Sequence, residues 1–189
     1  MDAYMKGHQD GVTLIEVLIS ALVVAVGLLG VFQLHLVAKR GSYESFQYTQ
    51  AHALATDIVE RMRVNPSQLS NYASRDYGVG NFAAPAKSCI NLTTEEGGYA
   101  ASEMVQWDQH MWHQMLTGAD EMMGGRAMGG ASGMRGCVTV NGAAVEVVVT
   151  WRGMDETVDG AVGGTAAQCG QADTRRRSVR IATTIVEGI

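Results

Sequence analysis

The sequence predicts an α+β chain: a long N-terminal helix, apolar through its first half, with its second half packed against a small antiparallel sheet in a C-terminal head. Three patterns predict it. An apolar run holds from Val12 to Val37, longer than the ~20 residues a helix needs to span a bilayer. Beyond it, Ala51, Leu54, Ala55, Ile58 and Met62 recur at spacings of three and four, which is one apolar helical face. In the C-terminal half, Val145, Val147, Val149 and Trp151 alternate with Glu146, Val148 and Thr150, which marks a strand with one apolar face.

Composition narrows the classes. The chain has 189 residues, and about 150 remain after the apolar run, enough for one domain with its own core. Its formal charge of −5 gives no support for a nucleic-acid partner. Three cysteines, Cys89, Cys137 and Cys169, form no CxxC pair and no zinc spacing, which argues against a metal site. If the apolar helix exports the head, the thiols meet an oxidising compartment where disulfides persist. One bridge between two of the three is then the simplest outcome, and the sequence does not choose the pair.

The N-terminal segment is read from its order. Residues 1–11 are short and polar, with Lys6 as the basic side chain. A secretory signal has an apolar core of ~7–15 residues followed by a small-residue cleavage site. Here the core is longer and the small residue, Gly11, precedes it, so the order suggests a cut before the helix. An uncleaved membrane anchor is the alternative. Glu16 stands inside the apolar run, where a carboxylate is costly and by default functional. Lys6 before the span and Lys39 and Arg40 after it leave the orientation undecided by charge alone.

The order Gly11-Val12-Thr13-Leu14-Ile15-Glu16-Val17-Leu18-Ile19 resembles the N-terminal signature of type IV pilins and pseudopilins. The resemblance implies a cytoplasmic leader (1–11), cleavage between Gly11 and Val12 by a prepilin peptidase, and methylation of Val12 at its new amino terminus. Val12 departs from the phenylalanine or methionine usual at that position. The resemblance also implies a pilin-like fold: a membrane-spanning and assembly half of the spine helix (12–38), an exported half (39–65) and a globular head (66–189). Glu16 would pair with the terminal amine of a neighbouring subunit. Pairing with its own amine four residues away is the alternative, since four helical residues rise only ~6 Å.

The exported half of the helix reads from Gln47 to Val64 without proline or glycine, and Asn65-Pro66 stops it. Asp57 and Arg61 stand four apart, a pair that adds a few tenths of a kcal/mol on a solvated face. Gly27, Gly30 and Gly41 are the weak points of the helix. The segment Ala53–Pro66, with its D-x-x-E-R-M-R-x-N order, is similar to the minor pilins of the PilV group.

In the head, residues 67–98 read as loop, and Glu103 to Leu116 as a short helix with Ser102 as a possible N-cap. Met104, Trp107, Met111 and Met115 are its apolar face. His110 and His113, three apart, lack an acidic or cysteine partner at ligand spacing. Residues 118–136, rich in Gly and Met, read as a mobile loop. Cys137–Val140, an Asn141-Gly142 turn and Ala143–Trp151 form a hairpin whose apolar face covers the spine. Arg152 to Thr174 is a Gly-rich excursion facing partners, and Arg176 to Val186 is a strand antiparallel to Ala143–Trp151. Arg175, Arg176, Arg177 and Arg180 read as a solvated strand edge rather than a patch for DNA or an acidic partner.

No nucleophile elbow, Walker loop, HExxH or paired catalytic carboxylates stand in the chain, so the expectation is a non-enzyme without cofactor. What the resemblance implies is a minor pilin, held in the inner membrane with its head in the periplasm and then incorporated near the tip of a type IV pilus. It would prime assembly with other minor pilins and the major pilin, sometimes with a tip adhesin, and support twitching motility and adhesion. A type II secretion pseudopilin, or a periplasmic binding module on an uncleaved anchor, is the alternative.

Overall fold

The computed structural model describes residues 11–86, 98–119, 121–127, 129–130 and 133–186. Cys89 lies outside them. Contacts divide the chain into two compact units, residues 1–43 and 44–189. The architecture is α+β, with a long N-terminal helix and a four-stranded antiparallel sheet.

Helix α1 runs from Leu14 to Val64. The Thr13 carbonyl accepts its first bonds, from the Glu16 and Val17 amides at 3.1 and 3.2 Å. Gly27, Gly30 and Gly41 lie inside it without a break. It ends where Asn65-Pro66 predicts. In the first unit it carries its apolar side chains on every side. In the second unit it is amphipathic: Gln47, Ala51, Ala55, Ile58, Val59 and Met62 are buried.

Pro66–Tyr72 continues as a 3-10 helix, and Ser74–Tyr77 forms strand β1. The sequence reads this segment as loop. Four residues, Ser-Arg-Asp-Tyr, are too few to display alternation, and β1 is defined by its partner strand rather than by its own pattern. Its anchors are Tyr72 and Tyr77, both fully buried, with the Tyr77 hydroxyl donating to the Tyr72 carbonyl at 2.8 Å.

Helix α2 spans Ala101–Thr117 and ends on Gly118, whose φ of +67° supplies the left-handed cap. Its N-terminus is capped differently from the expectation at Ser102. Ala100 is the cap residue, and its amide donates to the Glu103 carboxylate at 3.0 Å. The buried face also differs. Val105, Asp108, Trp112 and Leu116 are buried, whereas Met104, Trp107, Met111 and Met115 are only half-buried. The helix is turned by about one residue, or ~100°. Trp112 fixes the rotation: its indole N–H donates to the Leu54 carbonyl at 2.9 Å, and its ring lies over Gly136, where a Cβ would meet it at 2.4 Å. Apolar residues on both flanks made either face possible by hydropathy.

Within the stretch read as a mobile loop, residues 121–127 hold a small ribbon, β2 (Met122–Met123) paired with β3 (Arg126–Ala127). Strands β4 (Arg135–Asn141) and β5 (Ala144–Arg152) form the expected hairpin, shifted by one residue at its tip. Asn141 pairs with Ala144, so the turn residues are Gly142 and Ala143. Gly142 has φ +59°, as the first central position of a II′ turn demands. Strand β6 (Arg176–Thr184) pairs antiparallel with β5 from Arg152↔Arg176 to Ala144↔Thr184. The sheet order is β1-β4-β5-β6.

The inner face of the sheet carries Val138, Val145, Val147, Val149, Trp151 and Val179 onto the distal half of α1 and onto α2 in one core. Each such side chain contributes roughly 1.5–3 kcal/mol on full burial. A second, smaller cluster, Cys137, Val148, Ala161, Ala166 and Cys169, lies on the outer face beneath the Gly153–Arg175 loop.

Candidate functional site

Two regions carry the chemistry. The first is the apolar half of α1. All large aliphatic and aromatic side chains from Val12 to Val37 are exposed, from 38% at Leu36 to 78% at Leu14. Among the described residues this is the one helix long and apolar enough to cross a membrane. Glu16 sits in its first turn, where the positive end of the helix dipole favours a carboxylate. It makes no ion pair or side-chain hydrogen bond among the described residues.

The second region is the outer face of the sheet. Cys137 of β4 and Cys169 of the loop are joined by a disulfide, with Cα atoms 5.8 Å apart. Beside it stands Arg176, only 5% exposed. Its Nε and Nη2 donate to the two carboxylate oxygens of Asp159, both at 2.7 Å. The remaining donors reach the carbonyls of Ala161, Ala167, Cys169 and Gly170 at 2.9–3.3 Å. One buried guanidinium therefore closes six acceptors of a single loop, which makes that loop an ordered plate rather than a free excursion. Arg176 holds the Asp159 carboxyl below the usual carboxylate range, with the Ala161 amide helping.

This corrects the reading of the arginine cluster. Arg176 is not at a solvated edge, and each of its neighbours has a carboxylate: Arg175 with Glu156 at 3.0 Å, Arg177 with Glu44 at 3.5 Å and Arg180 with Glu146 at 2.6 Å. The cluster is locally neutral, which removes the charge surplus a polyanion would need. Sequence reasoning could not see the pairing because the partners lie in other elements.

The end of α1 is locked in a similar way. Arg61 Nε donates to Asp57 at 2.7 Å and Nη1 to Asp108 at 3.0 Å. Asp108 is 4% exposed and also accepts from the Tyr72 hydroxyl at 2.6 Å. Asn65 donates to the Ala101 carbonyl at 2.7 Å. Asp57 and Arg61 on α1, and Asn65 just past its end, stand at i, i+4 and i+8, and Arg61 and Asn65 reach from there to α2. Burial, with Asp108 beside it, pushes the Tyr72 phenol upward. Arg61 is raised as well: its burial acts downward, and the hydrogen bonds to Asp57 and Asp108 outweigh it.

Two family models match in succession along the chain. One, the prokaryotic N-terminal methylation motif, matches residues 6–32. The other, the Tt1218-like model described as type IV pilin Tt1218, matches residues 33–110. The chain belongs to the type IV pilins. No curated protein and no solved structure was found to match it.

Pilins are structural subunits that interact with other pilins and are processed by a prepilin peptidase, and the motif carries both properties here. The apolar helix and the motif fit a pilin held in the inner membrane before it enters a pilus. The second match covers the Asp57-Arg61-Asn65 stripe and most of α2, the part of the pilin head knit by the Asp108 network. His110 and His113 are not brought to a third ligand. Each instead bonds the main chain of residues 78–82. Among the described residues no group of three or more His, Cys, Asp or Glu could hold a metal ion.

Proposed function

We propose that this pilin is a minor pilin, closest in its spine segment to the PilV group, that helps prime pilus assembly and is incorporated near the tip. The exposed helix carries the reading. Seventeen large apolar side chains between Val12 and Val37 are exposed, so they need lipid first and neighbouring spines afterwards. A prepilin peptidase cuts between Gly11 and Val12, and Val12 is methylated. The new amine and the Glu16 carboxylate are both costly in an apolar medium, and pairing between subunits offsets that cost. Assembly then depends on Glu16, whereas insertion does not.

The head stays in the periplasm until assembly and meets the other minor pilins, the major pilin and a tip adhesin. The ordered plate held by Arg176 is suited to that contact, because a pre-ordered surface loses less entropy on binding. Twitching motility and adhesion follow from incorporation.

Mass spectrometry of the mature chain tests the processing: an N-methylated Val12 terminus is expected, and an intact Met1 terminus overturns it. Glu16→Ala should remain in the membrane and be depleted from sheared filaments. Normal recovery of that variant in filaments refutes the assembly role. Abundance equal to the major subunit in wild-type filaments refutes the minor-pilin reading.

A further inference from the structure

The main chain leaves β1 through Gly78, and the peptide groups around that glycine are gripped from two elements. The Gly78 amide donates to Nδ1 of His113 on α2 at 3.1 Å, and its carbonyl accepts from Arg135 Nη1 on β4 at 2.6 Å. Gly78 has φ +91°, and a Cβ there would meet the Met134 carbonyl oxygen at 2.5 Å, so no other residue fits the grip. Four residues on, the Phe82 carbonyl lies 2.7 Å from Nδ1 of His110. The Phe82 ring stacks on Tyr77 at 4.6 Å and lies 5.2 Å from the His113 ring. Tyr77 in turn meets Trp112 edge-on at 4.7 Å. Residues 78–82 are thus a strap beside an aromatic cluster, tied by two histidines, by Arg135, and by a turn in which the Val79 and Gly80 amides donate to the Asp76 carbonyl at 2.9 and 2.6 Å.

The two ties demand opposite proton placements. His110 must carry a proton on Nδ1 to meet a carbonyl. His113 must have a bare Nδ1 to meet an N–H, so it must be neutral. Protonating His113 destroys its tie, because a donor then faces a donor. Among the described residues, the titratable and charged groups that face His113 are His110 on its own helix and Arg135 on β4, and neither offers the proton compensation. We propose that the His113–Gly78 contact is an acid-released latch: protonating His113 frees the Gly78 amide and loosens the start of the strap from α2, while the Arg135, Asp76 and His110 ties hold the rest.

The sign follows from the direction of the shift. Burial, then His110 and Arg135, move the His113 pKa down from 6.5. The latch therefore adds stability that is complete above pH 6.5 and is lost as pH falls through the lower folded-state value. It opens in acid.

Amide hydrogen exchange on the full chain in detergent micelles tests this, with rates corrected for the intrinsic effect of pH. Between pH 8 and pH 5, exchange of the Gly78 amide should accelerate about tenfold, the equivalent of one hydrogen bond lost, while β5 stays protected. His113→Asn keeps an uncharged acceptor near the Nδ1 position, and should hold the Gly78 amide at both pH values. His113→Ala should leave that amide free at both. An unchanged Gly78 rate in the wild type at pH 5, or the same acceleration in His113→Asn, overturns the proposal. Loss of β5 protection together with that of Gly78 also overturns it, since that is global unfolding.

Discussion

Replacing Arg176 with glutamine isolates what orders the outer face of the head. The side chain is 5% exposed and serves both oxygens of Asp159 and four carbonyls. Breaking a buried ion pair from one side costs about 3–5 kcal/mol, because the other charge is left uncompensated. Asp159 is 21% exposed and can recover some hydration, whereas the carbonyls lose their donors, so about 4 kcal/mol is a fair central value. For a unit near 150 residues, ~3 °C of Tm per kcal/mol gives a fall of about 12 °C. Thermal unfolding of the full chain in detergent, disulfide intact, reads this directly. The pKa of Asp159 is lowered in the fold, so the pair contributes above pH 3.8 and is lost as pH falls through the lower folded value. The gap between wild type and Arg176→Gln should therefore narrow in strong acid, leaving the share that comes from the four carbonyls. Adding Asp159→Ala to the variant should restore part of the loss by removing the stranded carboxylate. A Tm drop below about 3 °C at neutral pH, against the ~12 °C worked above, refutes the account of Arg176 as the organiser of the loop.

Two further perturbations test the packing beneath it. Gly136→Ala places a methyl 2.4 Å from the Trp112 ring; the overpacking should lower stability by about 1–3 kcal/mol, visible as a lower Tm and a changed Trp near-UV circular dichroism band. Arg61→Met leaves the Asp108 carboxylate, 4% exposed, with only the Tyr72 hydroxyl; a loss of about 2–4 kcal/mol is expected, and Asp108→Asn in the same background should relieve it, with urea denaturation as the measurement.

Much of the architecture was legible because it rests on period. The run Val12–Val37, the three-four spacing of Ala51 to Met62 and the alternation of Val145 to Trp151 each name an element and the face it buries. The Asn65-Pro66 stop holds because proline removes the helical option locally. What failed was decided by partners. Strand β1 exists because β4 offers an edge at Val138 and Gly136. The rotation of α2 follows from a hole at Gly136 that only a ring fills. The hairpin tip moved by one residue because Gly142, rather than Asn141, takes the positive φ.

By itself, then, the sequence determined the apolar spine with its buried-cost glutamate, the helix–sheet order and the inward face of the hairpin, since hydrophobic periodicity and chain-local sterics need no partner to be read. The tertiary structure alone decided the polar contacts. Arg176 reads like its three basic neighbours in sequence but closes on Asp159, 17 positions away, and Asp108 closes on Arg61 across 47. A buried charge is fixed by which opposite charge and which orphan carbonyls the fold delivers within 3 Å, and that pairing has no period along the chain.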